Sequence, residues 1–532
     1  MKSPPHLLSV NFASQLPPPL MPPFILNRAR LTFISWWRHL PRLHNIALTI
    51  PMKYTFLIPP VASDGRRPAE RSAGCTRVVY PIPNLYELTV AAVLEREGHD
   101  VRLRNFTLPK PQTPADLESW LASDDSDVYC IWGVNLSMED DLPAIASILR
   151  TRPRAKVLLM GPAPTFFHKR FLTDPRVFVV RGEPEATVTE WARAVQAGEA
   201  DFSGIKGLSW FMDGEPRHNP SREPSREFDS LPFPARHLLG DMEFHNPKLK
   251  LGPYTTILTS RNCPYRCIYC VPSSLTFARE LDYRAGHGRK PPISYRSPEN
   301  VEAELKMLHE QGYRALCFVD DNFIWNEERT LALCAALRKY GFKWGCQARV
   351  DAITEPIAKA LGQSGCTYID LGVESFDDEI LKYIKKGFKC EDIYRAVDLL
   401  QKHGVPVKLN ILIGTSPLET RDTIRRTVRK AKKLKVDQVM INIISPFPGT
   451  ELYDLAIKNG WILGGEYRPT DVQRESILNY PQLSARQMEK ALYRANLSFF
   501  TSPRFIFKQI RRFSSPKEFF AAFKALRVKL FG

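Results

Sequence analysis

Two successive series of short apolar runs, each run separated from the next by a helical pattern, leave this chain few ways to fold. In the first series, strands are expected at 54–58, 100–104, 127–133, 156–160 and 177–181, with helices near 84–98, 114–122, 139–151 and 185–197. Strands joined by helical crossovers pair in parallel, with helices covering both faces of the sheet. Residues 53–202 therefore read as an α/β domain with a doubly wound, Rossmann-like sheet. The second series places strands near 255–261, 315–320, 343–350, 368–373, 406–413 and 439–445, with helices at 298–311, 327–340, 355–364, 377–386, 391–403 and 418–434. Five of these helices run into Gly312, Gly341, Gly365, Gly387 and Gly404, and glycine takes a left-handed cap without a Cβ penalty. Six strands fall short of a complete eightfold barrel, so 251–450 reads as an incomplete (β/α)6 barrel.

The flanking segments are less patterned. Residues 1–51 are proline-rich, carry Lys2, Arg28, Arg30, Arg38 and Arg42, and contain no acid. A strand opening just after Met52 makes that methionine the expected natural start and 1–51 a disordered or non-native extension. A basic targeting presequence is the alternative that the missing acids allow. Residues 203–250 read as a linker, within which Leu231-Pro232-Phe233-Pro234 is an extended piece docked on a surface. Residues 451–532 read as a helical C-terminal region. Its last part interleaves Phe505, Phe507, Ile510 and Phe513 with Arg504, Lys508, Arg511 and Arg512. Such a segment folds onto the barrel or, as the alternative, rests on a membrane surface.

Composition narrows the classes. With 44% hydrophobic and 25% charged residues, the chain is globular, and no run of about 18 apolar residues marks a membrane-spanning helix. The net charge of +17 invites a nucleic-acid partner. The excess sits at the two ends, however, and the middle is near balance, which argues against nucleic acid. Ten cysteines without a signal peptide point to a reducing, cytoplasmic setting, where clustered cysteines mean metal or catalysis.

In doubly wound sheets ligands bind beyond the carboxyl ends of the strands. The loops there read Val134-Asn135-Leu136-Ser137, Gly161-Pro162-Ala163-Pro164-Thr165 and Arg181-Gly182-Glu183-Pro184-Glu185. Taken singly, each is also ordinary turn chemistry.

The sharpest motif is Cys263-Pro264-Tyr265-Arg266-Cys267-Ile268-Tyr269-Cys270 at the end of the first barrel strand. Soft thiolates select iron–sulfur or zinc centres. A structural zinc site needs a fourth Cys or His at suitable spacing, and the nearest candidate, His287, is seventeen residues past Cys270 in an expected loop. Most iron–sulfur clusters take four cysteines; with three, one iron is left open, as catalysis requires. The other strand ends are polar too: Asp320 and Asp321, then Arg349, then Glu374. Strand C-termini are where barrel enzymes do their chemistry.

The Cys-x-x-x-Cys-x-x-Cys spacing, with an aromatic residue before the last cysteine, resembles the radical S-adenosylmethionine superfamily. That resemblance implies a 4Fe–4S cluster on Cys263, Cys267 and Cys270 whose open iron chelates S-adenosylmethionine, and reductive cleavage of the sulfonium to a 5′-deoxyadenosyl radical. It implies Asp320 or Asp321 as acceptors for the methionine ammonium, Arg349 for the carboxylate and Glu374 for a ribose hydroxyl or the ammonium. With the 53–202 domain in front, the chain resembles the cobalamin-dependent branch, from the Pro59-Pro60 opening through the Pro81–Glu87 segment to the Pro446–Thr450 turn. Cobalamin would then lie against Asn135, Ser137, Gly161, Thr165, Gly182 and Glu183. No Asp-x-His-x-x-Gly is present, and the corresponding loop reads Asn105-Phe106-Thr107-Leu108-Pro109, so no histidine from that motif ligates cobalt. The glycine pair common in the third loop is reduced to Gly161-Pro162.

The function this implies is methyl transfer to an unactivated carbon of a small or lipid-like substrate, with an electron donor such as flavodoxin or ferredoxin. A radical oxidative cyclase is the non-methylating alternative. An RNA-modifying or RNA-binding protein is the rival of another class, supported by eight Arg or Lys between Arg421 and Lys435. The helical spacing of Ile424, Val428, Ala431 and Leu434 makes that run a solvated outer helix instead.

Overall fold

A computed structural model describes residues 51–503, apart from 63–65, 79, 226, 243, 245, 247, 248, 250 and 435. The proposed N-terminal extension, except Pro51, and the basic apolar segment from Arg504 lie outside the described residues.

The first sheet has seven strands: β1 (Lys53–Ile58), β2 (Asp100–Asn105), β3 (Val128–Trp132), β4 (Lys156–Met160), β5 (Val177–Val180), β6 (Leu208–Met212) and β7 (Glu215–His218), in the order β2-β1-β3-β4-β5-β6-β7. β1 to β5 run parallel. Alternate residues feed two apolar cores. Phe56, Cys130, Leu158 and Phe178 pack with helices Leu85–Arg96 and Pro184–Gln196; Leu57, Ile131 and Leu159 pack with Pro114–Ser123 and Met138–Thr151. A strand covered on both faces must be apolar throughout, which is why β3 is buried at all five positions.

The sheet does not end near 202. β6 and β7 form an antiparallel hairpin that continues it, so the expected linker is partly sheet. Asp213 and Gly214 turn the hairpin with φ of 53° and 79°, a two-residue loop of the primed kind. β7 is exposed at every residue, a charged edge strand with no apolar alternation. The rest of 203–250 is docked, as expected for Leu231-Pro232-Phe233-Pro234: Ala235 N–H bonds Leu88 O at 2.9 Å, and the Phe233 ring lies under the Arg296 guanidinium at 5.3 Å.

The second sheet is six-stranded and parallel: β8 (Tyr254–Ile257), β11 (Ala315–Phe318), β12 (Lys343–Ala348), β13 (Cys366–Glu374), β14 (Val407–Ile413) and β15 (Gln438–Ile443), in the order β15-β14-β13-β12-β11-β8. The expected strand 255–261 breaks after Ile257, and β9 (Ser260–Arg261) pairs separately with β10 (Ser294–Tyr295). The five glycines after the barrel helices all have positive φ, from 67° to 89°. Helix Arg421–Lys433 buries Thr423, Ile424, Thr427 and Ala431 and exposes Arg421, Arg425 and Arg429, so its charge is a solvated face. Past the barrel, helices Glu451–Lys458 and Ala485–Phe500 bracket an irregular stretch rather than a continuous helical region. Among the described residues no helix is long and apolar enough to cross a membrane.

Candidate cofactor site

The cysteine loop leaves β9 through Asn262, whose φ of 73° is a conformation asparagine tolerates better than most residues. Asn262 is anchored on both sides of its amide: Nδ2 donates to Pro291 O at 2.9 Å, and Oδ1 accepts from Arg279 Nη1 at 3.1 Å. The Asp321 carboxylate then staples the two ends of the loop, accepting from Asn262 N at 3.0 Å, Ser273 N at 2.7 Å and Thr276 Oγ1 at 2.6 Å. Asp320 does the same one step earlier, accepting from Thr259 Oγ1 at 2.7 Å and Ser260 Oγ at 2.6 Å. Burial pushes both carboxyls up, against these donors. Both acids hold the loop rather than offering a free acceptor for an ammonium. Beside them Asn322 is buried with neither end of its amide partnered, and it is the group of this run left for a ligand.

Cys263, Cys267 and Cys270 are free and half-buried. Burial pushes the Cys263 thiol up to about 11; burial, then Cys267 and Cys263, hold Cys270 well above the ordinary thiol range. Thiols that disfavour each other's ionisation are close together, and a bound cation reverses that logic. Among the described residues no three Cys, His, Asp or Glu side chains are placed for a single metal ion. Zinc needs every donor within about 2.3 Å of one point, whereas a cluster needs donors spread around its body. The three thiols share one loop beside a cleft of about 370 Å³ that reaches Cys267 and Cys270, a soft donor set suited to an iron–sulfur cluster.

Arg349 follows β12 and turns toward this loop. Its guanidinium stacks on Tyr265 at 3.5 Å, pairs with Asp351 at 2.9 Å, bonds Lys386 O, and points Nη1 at Cys267 Sγ, 3.9 Å away. It braces the cysteine loop, and its fork is not open to a carboxylate ligand. Glu374 ends β13 after a bulge, with φ of 63°. Non-glycine residues in that region cost roughly 1–3 kcal/mol and cluster at functional sites. Its Oε1 accepts from Lys386 Nζ at 2.9 Å; burial works against the Lys386 charge, but Glu374 and Cys267 keep the ammonium protonated. Lys386 carried no sequence signal.

The loops of the first sheet are engaged by a helix the sequence reading missed, Ser274–His287. Trp132 Nε1 donates to Ser274 Oγ at 3.0 Å, and helix Pro162–Phe166 packs against it. Gly161 has φ of 98°, and a Cβ there would meet Gly133 O at 2.5 Å. Thr165 Oγ1 donates to Gly161 O at 2.8 Å. Gly182 faces Asp282, and Glu183 is consumed by Arg261, Arg279 and Ser225 N. Gly182 and Glu183 seat the two domains together, while Gly161 and Thr165 shape the turn after β4. Ser137 Oγ donates to Asp141, which pairs with Arg71 at 2.6 Å. Asn135 is buried and its side chain meets Tyr467 from beyond the barrel. Across the junction burial pushes the Tyr467 hydroxyl up, while hydrogen bonding to Asn135 and Ser445 lowers it. Gly161→Ala is expected to cost roughly 1–3 kcal/mol, measured as a lower urea midpoint at unchanged slope.

Residues 257–431 match the family model of the Radical SAM superfamily. An uncharacterized methyltransferase of Pyrococcus horikoshii is 29% identical, over 86% of this chain and 95% of its own. Cytidylyl-2-hydroxyethylphosphonate methyltransferase of Streptomyces wedmorensis is 24% identical, over 76% of this chain and 83% of its own. Among solved structures, the radical S-adenosylmethionine methyltransferase TsrM of Kitasatospora setae, with cobalamin and a [4Fe-4S] cluster bound, superposes with a TM-score of 0.59 at 18% identity, over 77% of this chain and 75% of that one. At that identity the likeness is one of fold: a parallel α/β domain followed by an open parallel barrel.

Proposed function

We propose that this chain, whose barrel matches the radical SAM superfamily over residues 257–431, is a cobalamin-dependent methyltransferase acting on a carbon of a small molecule. The observation that carries this reading is the three-cysteine loop, stapled by Asp321 at the end of β8 and β9, facing a first sheet whose loops are locked onto the same end of the barrel. Bound together, a 4Fe–4S cluster, S-adenosylmethionine and cobalamin supply the radical and the methyl group. Cys263, Cys267 and Cys270 hold the cluster. Asn322 and Glu374 would orient S-adenosylmethionine, and Asn135 with Tyr467 would border cobalamin. Helix Ser274–His287 excludes water between the domains, as reactive species require. The cleft carries Arg266 and Arg289 beside the Arg284–Glu280 and Lys385–Glu451 pairs, a net basic rim that complements an acidic electron donor such as flavodoxin or ferredoxin.

Both relatives are named as methyltransferases, which agrees with this proposal. Its test is binding before turnover. Protein loaded with iron and sulfide under anaerobic conditions is expected to retain about one hydroxocobalamin per chain through gel filtration, with a spectrum free of histidine ligation. Reductive cleavage of S-adenosylmethionine without any cobalamin retention would move the chain to a non-methylating radical class.

A further inference from the structure

Ligation to iron changes what a cysteine sulfur can do. A thiol can donate its proton, whereas a metal-bound thiolate only accepts. Lys385 O and Arg349 Nη1 each lie 3.9 Å from Cys267 Sγ. The thiol gives its hydrogen to the carbonyl, and that bond ends once the sulfur is ionised. The guanidinium is the neighbour that still serves the sulfur, because arginine carries five N–H donors and keeps its charge at any ordinary pH.

Arg349 has no freedom to turn elsewhere. Its Nε and Nη2 donate to the two carboxylate oxygens of Asp351, each at 2.9 Å. Nη2 also donates to Lys386 O. The guanidinium rests against the rings of Tyr265 and Phe388, at 3.5 and 5.1 Å, and the residue is 5% exposed. Asp351 thus takes the Nε–Nη2 edge of the fork and leaves Nη1 directed at the sulfur. Tyr265 itself belongs to the cysteine loop, so loop and guanidinium are held as one unit. The N–H···S contact is long with a thiol, and ionising the acceptor shortens and strengthens such bonds.

We propose that Arg349 sets the reduction potential of the cluster by donating Nη1–H to the Cys267 sulfur, and does not hold the carboxylate of S-adenosylmethionine. The assignment rests on the cluster reading above. In the step concerned a reductant gives one electron to the cluster; no bond breaks, no proton moves, and the cluster gains one negative charge. A cationic donor held against a cluster sulfur favours the form with more negative charge, and hydrogen bonds to the sulfurs are among the factors that set these potentials. Arg349 therefore eases the reduction that precedes sulfonium cleavage. Asp351 orients the guanidinium from its other edge without competing for this bond.

The full chain is prepared with arginine carrying nitrogen-15 in its guanidinium alone, loaded with iron and sulfide, and reduced by dithionite without S-adenosylmethionine. Pulsed electron paramagnetic resonance is expected to show nitrogen-15 coupled to the reduced cluster. A cluster with no such coupling overturns this assignment alone. A chain that assembles no cluster overturns it together with the cluster reading. Arg266 also lines the cleft, so the coupling must vanish in Arg349→Gln. In that variant the ratio of reduced to oxidised cluster at a fixed potential should fall about tenfold, or about 59 mV for a one-electron couple. The Kd for S-adenosylmethionine should be unchanged. An unchanged potential, with or without a weaker Kd, would sink the proposal, and the weaker Kd would return Arg349 to the carboxylate. Should Arg349→Gln fail to hold iron, Arg266→Gln takes its place, and there the coupling must persist; its loss would overturn the assignment.

Discussion

Cys267→Ala is expected to purify as a folded, colourless protein with iron reduced from about four per chain to nearly none, and to cleave no S-adenosylmethionine. The thiol is half-buried, and the loop around it is fixed by other groups. Ile268 N–H bonds Ile384 O at 3.3 Å, Leu452 N–H bonds Ile268 O at 2.9 Å, and Asp321 holds both ends. Stability should therefore fall by less than about 1 kcal/mol, which separates loss of metal from loss of fold. Iron and sulfide assays with a urea titration check both halves. Retention of metal in the variant, or zinc in place of iron in the parent, would sink the cluster reading.

What the residue pattern revealed, and what it hid, follows from how far each interaction reaches. Strands buried on both faces, such as β3 and β4, are continuous apolar runs and were legible to within a residue or two. The cysteine motif is local, so its spacing carried its chemistry. The β6–β7 hairpin was hidden because its outer strand is Glu-Pro-Arg-His, exposed throughout, although Asp213-Gly214 was the available signal. Helix Ser274–His287 was hidden for the opposite reason. Its buried residues include Ser274, Thr276, Arg279, Glu280 and Asp282, so apolar periodicity does not mark a face that docks through hydrogen bonds and ion pairs. Asp320, Asp321 and Arg349 were legible as polar strand ends, yet their partners come from distant segments and turn them into braces. Glu183 likewise meets Arg261, 78 positions along the chain. No single-sequence pattern joins those two.

That same contact carries the second large expectation: Arg261→Ala should destabilise the protein by about 3–5 kcal/mol, the cost of leaving a buried charge uncompensated. The Arg261 side chain is only 2% exposed and pairs with Glu185 at 2.6 Å and Glu183 at 3.1 Å. Burial opposes its charge, but Glu185 and Glu183 more than restore it. Burial likewise pushes the Glu183 carboxyl up, while Arg279 and Arg261 pull it below the usual carboxylate range. A carboxyl whose folded pKa lies below its unfolded one adds stability above the unfolded value and loses it as pH falls through the folded value. The parent protein should therefore lose this contribution in acid. In Arg261→Ala both glutamates lose that cation, and Glu185 is left buried without it. Denaturant unfolding across pH would show the two curves converging in acid. Arg279 still reaches Glu183 at 3.1 Å, so the uncompensated charge is at Glu185, and Arg261→Met combined with Glu185→Leu should recover most of the loss. Because Arg261 belongs to the barrel and both glutamates to the first domain, the single variant should also expose the junction to protease before either domain unfolds. A parallel loss at all pH values, unrelieved by the double variant, would show that Arg261 acts through packing on Phe228, whose ring lies 4.5 Å beneath its guanidinium, and not through charge.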